Sequence, residues 1–261
     1  MMAGIASALL VAWLLLGEPL LGRRSHRRML AALDAGRDRA RLYFYRSWTW
    51  QAWLLACLTL VVAWANHWSL ASLGLRLPHA LGSVPIGFIA GIAAALLAGA
   101  LFGLLLARRQ KSADNTLRQQ PIAGGDKVLR MLPRGGTERR SFAVLAITAG
   151  VTEELIWRGF GVAALRCVWP LLPLLPTIIV LAVAFGWAHF YQGAGGMLVT
   201  GLIGAVMVWL YLASGSLLLP MFLHALLDLR ALLLPLPAEP AIDPTHIPSD
   251  RERSSFTEKH P

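Results

Sequence analysis

Charge is scarce in this 261-residue chain, in which only 15% of residues are Asp, Glu, Lys or Arg. A soluble domain usually carries about 25%, so the shortfall excludes an ordinary solvated surface. Cysteine is nearly missing too. Cys57 lies in one apolar block and Cys167 near the end of another, which leaves no disulfide framework and no CxxC metal site. No nucleic-acid recognition motif accompanies the net charge of +10, and nucleic acid is set aside as a partner. The first apolar stretch lacks a basic leader, and Arg23 and Arg24 follow it like a stop signal, so it does not read as a signal peptide.

What the chain has instead is apolar length. Hydrophobic residues make up 56% of it, gathered in blocks that reach the roughly 20 residues needed to cross a bilayer core of about 30 Å. Seven candidate spans follow: Ala3 to Leu21, Trp48 to Trp68, Val84 to Leu106, Phe142 to Arg158, Leu171 to His189, Met197 to Ala213 and Leu217 to Leu234. The fold class expected is therefore all-α, a polytopic membrane bundle of about seven helices. Glu18 and Pro19 interrupt the end of the first span, and the fourth continues as helix past Arg158 towards Arg166. Trp48, Trp50, Trp64 and Trp68 lie near the ends of the second, where indole rings favour the membrane interface.

The positive charge is not spread evenly. Of 24 Lys and Arg residues, eight lie between Arg23 and Arg46 and nine between Arg108 and Arg140. Both clusters separate apolar blocks, the pattern of cytoplasmic loops, and both are suited to anionic lipid headgroups. With both inside, the N-terminus is outside and the fourth span runs outward. Three regions result: residues 1–141 with three spans and two basic cytoplasmic loops, a four-span core at 142–234, and a polar, Pro-containing tail at 235–261 that reads as disordered. Gly87-x-x-x-Gly91 and Gly99-x-x-x-Gly103 on the third span favour close packing of helices inside the bundle.

Ionisable residues inside spans are costly and usually mark function. Here they concentrate in the last four spans: Glu153, Glu154, Arg158, His189, His224 and Asp228. Glu154 and Arg158 are four apart, share a helix face and can pair. Glu153 has no partner on its own helix, which leaves its carboxylate available as a general base. His224 and Asp228 are again four apart. Pro220 is placed to kink the helix that carries them. Two histidines and a glutamate from neighbouring helices could polarise a water directly, or could hold a divalent metal that does so.

The ordered set Glu153-Glu154-x-x-x-Arg158, Phe185-x-x-x-His189 and His224-x-x-x-Asp228 resembles the CPBP family of intramembrane proteases, which includes the type II CAAX prenyl endopeptidases and bacterial abortive-infection proteins. The resemblance runs from about Phe142 to Leu234. It implies that Glu153 activates water with help from His189 and His224, that Glu154 pairs with Arg158 to hold the helix, and that His224 and Asp228 stabilise the oxyanion or help hold the water or a metal. Asn is frequent in the family where this chain has Asp228, and an acid is a poorer donor to an oxyanion. The resemblance further implies a multi-pass protein of a bacterial cell membrane acting on a prenylated or membrane-anchored substrate among membrane lipids. Zinc on Glu153, His189 and His224, hence a metalloprotease, and a metal-free glutamate mechanism both stay open. No HExxH supports a zincin-like site. Ser214 and Ser216 lie in a turn that explains them without a nucleophilic role. A non-catalytic immunity or scaffold protein retaining the fold, and a proton-coupled transporter, are the alternatives of other classes.

Overall fold

The computed structural model describes residues 2–78 and 129–233. The third span with its GxxxG pairs, most of the second basic cluster and the C-terminal tail lie outside them. All regular structure among the described residues is helical. Helix α1 covers Met2–Ala12, α2 Glu18–Asp34, α3 Ala40–Ala65, α4 Gly136–Glu154, α5 Gly161–Val168, α6 Leu174–Ala188, α7 Ala194–Ser214 and α8 Leu218–Leu229. Single π turns at Trp13–Gly17 and Leu155–Phe160 join α1 to α2 and α4 to α5.

The first π turn corrects the expectation that Glu18 and Pro19 end the first span. The helix runs on to Asp34. The N–H of Glu18 reaches back to the Trp13 carbonyl, five residues away. In an unbroken α-helix the next residue would donate to Leu15, but Pro19 has no N–H. The orphaned Leu15 carbonyl is taken by the indole of Trp187 on α6, at 2.8 Å. A defect in one helix thereby becomes a bond to another.

The first basic cluster is likewise not a loop. Helices α2 and α3 run through it, leaving only residues 35–39 between them. Arg41 is 3% exposed, donates to the Arg130 carbonyl at 2.9 Å and lies 3.8 Å from Glu138. Together with the bond from the Tyr45 hydroxyl to the Met131 carbonyl, it ties the start of α3 to the approach of α4. About two turns beyond Tyr45 on α3, the Trp53 indole donates to Thr148 at 3.2 Å.

Helix α4 starts at Gly136, ahead of the Phe142 expected from hydropathy, so Glu153 lies about 26 Å from the helix start at about 1.5 Å per residue. It crosses α8 at Gly150, where a Cβ would come within 2.7 Å of the Ala225 nitrogen. Helices α6 and α7 approach as closely at Gly186, where a Cβ would meet the Met197 carbonyl at 2.7 Å and Gly201 Cα at 3.2 Å. Glycine at both crossings removes the side chain that would hold the backbones apart. At the other end of the bundle, Leu217 N–H donates to the Gly74 carbonyl at 2.8 Å, Ser216 Oγ donates to the Arg76 carbonyl at 2.6 Å, and Arg76 Nε donates to the Gly215 carbonyl at 2.9 Å. Ser214 is buried and bonded to the Leu210 carbonyl at 2.7 Å, in keeping with a turn role. Pro220 falls in the first turn of α8, where its missing N–H costs nothing, so it does not kink the helix.

Three of the described helices, Ala3–Asp34, Ala40–Ala65 and Ala194–Ser214, are long and apolar enough to cross a membrane. The count of seven is not reached, because α6 has only 15 residues, α4 carries its own charges and the third span is undescribed. The outer faces support immersion in lipid: Leu54, Leu58, Val61 and Trp64 on α3 and Leu198, Val199 and Leu202 on α7 are exposed. Apolar surface on this scale marks membrane contact, and the chain is an integral membrane protein. Replacing Trp187 by Phe removes the donor to Leu15 while keeping an aromatic ring beside Phe190. It is expected to lower the stability of the detergent-solubilised protein by about 1–2 kcal/mol, read as a fall in its thermal midpoint.

Candidate active site

Glu154 ends α4, and Arg158 lies in the π turn that follows it. Their side chains pair at 3.0 Å with exposures of 0% and 1%. A guanidinium buried so completely needs compensation on every side. Its central carbon lies 4.1 Å from the centroid of the Phe185 ring, a cation–π contact, and one nitrogen donates to the Gly204 carbonyl at 3.4 Å. From the opposite side His224 Nδ1 donates to the same Glu154 oxygen at 2.7 Å. One carboxylate oxygen therefore joins α4 and its π turn to α8, and through Arg158 to α6 and α7.

This arrangement divides the histidines in a way the spacing did not indicate. Glu153 was expected to meet both His189 and His224; it meets His189 alone, with Oε2 3.8 Å from Nε2. Adjacent residues on a helix point about 100° apart, so Glu153 looks towards the end of α6 while Glu154 looks towards α8. His189 follows the last residue of α6, and its Nδ1 donates to the Phe185 carbonyl at 2.9 Å. A carbonyl only accepts, so Nδ1 carries the hydrogen and Nε2 is the atom turned to Glu153. Glu153 Oε2 is buried and has no hydrogen-bond partner among the described residues.

His224 and Asp228 share a face, with Nε2 3.7 Å from Oδ2. The Nδ1 hydrogen of His224 is committed to Glu154, which leaves Nε2 beside Asp228. The expected zinc ligand set Glu153, His189 and His224 is not assembled. With Nδ1 of His224 held by Glu154, no three His, Cys, Asp or Glu side chains among the described residues converge as ligands, so no step is routed through a metal.

Other residues at the site escaped the sequence reading. Gly204 offers only a backbone carbonyl, which leaves no mark in a sequence. Glu18 was visible as an acid in an apolar stretch but was taken for a span end. Its carboxylate lies within electrostatic reach of Glu153. Tyr191, in the short 3-10 turn Phe190–Gln192, looks like an ordinary aromatic past a helix end.

Arg158 is a positioning residue here, because it acts through Glu154. Replacing it by Ala strips the buried carboxylate of its ion pair, and such losses cost about 3–5 kcal/mol. The expected outcome is a protein that fails to accumulate, or melts far below the wild type. The double variant Glu154→Gln/Arg158→Met, which removes both charges, is expected to recover much of the loss in the same thermal assay.

The motif order seen in the sequence has an independent counterpart. The family model for type II CAAX prenyl endopeptidase, Rce1-like, matches residues 138–230, which run from the first turn of α4 past the end of α8. Neither the curated proteins nor the solved structures contain a match to the chain. Glu153, Glu154, Arg158, Phe185, His189, His224 and Asp228 all fall within the matched residues, so the helices that build the site are the part of the chain similar to the type II CAAX prenyl endopeptidase Rce1-like family.

Proposed function

We propose that the protein is an intramembrane endopeptidase that hydrolyses a peptide bond of a lipidated or membrane-anchored substrate near the cytoplasmic face, with Glu153 as the general base. The observation that carries this reading is the pairing of a buried, unsatisfied Glu153 Oε2 with His189 Nε2 across 3.8 Å. That is too long for a direct hydrogen bond and suits a bridging water about 2.8 Å from each atom. With the His189 hydrogen on Nδ1, both facing atoms are acceptors. A water between them donates both hydrogens, which turns its lone pairs outward to a substrate carbonyl.

Attack by that water forms the new C–O bond while the carbonyl π pair moves onto its oxygen. The water proton passes to Glu153. When the tetrahedral intermediate collapses, the C–N bond breaks and the amine takes its proton back from Glu153, leaving a carboxylic acid and an amine. His189 orients the water. Glu154, Arg158 and His224 hold α4, α6, α7 and α8 so that the 3.8 Å gap keeps its width, a positional demand on which large rate factors depend. The family match supports the reaction class, and the exposed apolar helix faces support a substrate delivered from the bilayer.

Glu153→Gln keeps the shape and removes the base. Cleavage is expected to fall by about 10²–10⁴-fold, with the thermal midpoint close to that of the wild type. In cells, quantitative membrane proteomics of Glu153→Ala against wild type is expected to show a precursor accumulating uncut. Full biological activity in that variant, with no precursor, would sink the reading in favour of a non-catalytic scaffold.

A further inference from the structure

Hydrolysis through a tetrahedral intermediate needs a hydrogen-bond donor about 2.7–3.1 Å from the developing oxyanion. The ionisable residues of the site leave that place open. Arg158 is 1% exposed and packed against Glu154, Phe185 and Gly204, so its unbonded Nε and Nη1 hydrogens are closed off from a substrate. His189 gives its Nδ1 hydrogen to Phe185, and His224 gives its Nδ1 hydrogen to Glu154 and turns Nε2 to Asp228 at 3.7 Å. Glu153 and Asp228, when ionised, only accept.

A less enclosed donor lies beside them. Tyr191 follows His189 by two residues, and their rings are 5.9 Å apart. Its phenol oxygen accepts from Gln192 Nε2 at 3.3 Å, and Gln192 Oε1 in turn accepts from Thr200 at 3.1 Å. The phenol hydrogen has no acceptor among the described residues, and a phenol keeps that hydrogen at neutral pH. The hydroxyl lies within electrostatic reach of Glu153 and Asp228 of the site and of Glu18 on α2. The ring is fixed from the far side by α2. His26, 3% exposed, lies with its ring 5.5 Å away and tilted by 45°, and Gly22 lets the helix backbone close in, since a Cβ there would be 3.3 Å from Tyr191 Cδ1. A rigidly held aromatic with a free O–H at a site otherwise made of acceptors is the arrangement an oxyanion donor requires.

We propose that Tyr191 is a further catalytic residue, donating its O–H to the oxyanion of the tetrahedral intermediate. The proposal rests on the protease reading. When the water adds to the carbonyl carbon, the π pair that becomes the oxyanion lone pair accepts the Tyr191 hydrogen bond without proton transfer. The phenol is released unchanged when the C=O bond re-forms and the amine departs with the proton held by Glu153. The role also accounts for an acid at position 228, because the donor comes from the turn after α6 and not from α8.

The test uses full-length wild type, Glu153→Gln and Tyr191→Phe in detergent, with a fluorogenic prenylated peptide ending in a CAAX sequence as the probe. Tyr191→Phe keeps the ring and its packing on Gly22 and His26. Its kcat is expected to fall by about 10²–10³-fold, the effect of removing one oxyanion donor, with KM within about threefold and an unchanged thermal midpoint. Wild-type kcat in Tyr191→Phe, with Glu153→Gln inactive, overturns the donor role and leaves the protease reading standing. A rise in KM alone also overturns it, since that assigns Tyr191 to substrate binding. Wild type inert on the probe, together with no precursor accumulating in Glu153→Ala cells, overturns both.

Discussion

A single carboxylate oxygen, Glu154 Oε1, forms an ion pair with Arg158 at 3.0 Å and accepts from His224 at 2.7 Å in surroundings that leave Glu154 with no exposed surface. Ionised groups in a bilayer-spanning bundle survive only in such company. Removing any member would strand the others in a medium that cannot solvate them. The network therefore specifies one arrangement of α4, α6, α7 and α8, since Phe185 and Gly204 complete the shell around Arg158. The reactive pair is carried as a passenger on this frame. Glu153 is next to Glu154 in the chain, and His189 is one helical turn from Phe185, so fixing the buried network also fixes the gap between them.

The two glutamates of the motif thus do different work for a geometric reason. Glu154 is entirely enclosed and pairs with two cationic or hydrogen-donating side chains. Glu153, with 28% of its side chain exposed, keeps an unsatisfied oxygen at the edge of the same cluster. The enclosed acid supplies rigidity, and the accessible one is left free for chemistry. The N-terminal helices take part in this. Through Gly22, His26 and the Leu15–Trp187 bond, α2 and the turn before it press on the segment that follows His189, although they lie outside residues 138–230.

Much of this was legible from spacing. Residues four apart on a helix share a face, so the Glu154–Arg158 and His224–Asp228 neighbours could be read directly. The confinement of charge to the last four apolar blocks located the site. Which glutamate each histidine meets could not be read, because it depends on the rotation and offset of α4 against α6 and α8. Those are set by the glycine contacts at Gly150 and Gly186, tertiary events with no local signature. Basic residues misled in one place: Arg41 looks like a cytoplasmic loop charge and is a buried anchor, since hydropathy reports the cost of a charge but not the partners that offset it. Pro19 misled similarly. Its missing donor reads as a helix end unless a neighbour such as Trp187 takes the abandoned carbonyl.

The turn at Trp13–Gly17 has a consequence for how the chain tolerates change in length. A π turn holds one residue more than the α-helical path needs, so the two sides of it are out of step by about 100°. Leu10 and Leu14, each 3% exposed in the core, are aimed inward by that offset, as Glu18 and Gly22 are on the other side. Losing one residue there would make a more regular helix and a worse protein. The straightened segment would rotate its leucines towards lipid while α2 stayed locked on Tyr191.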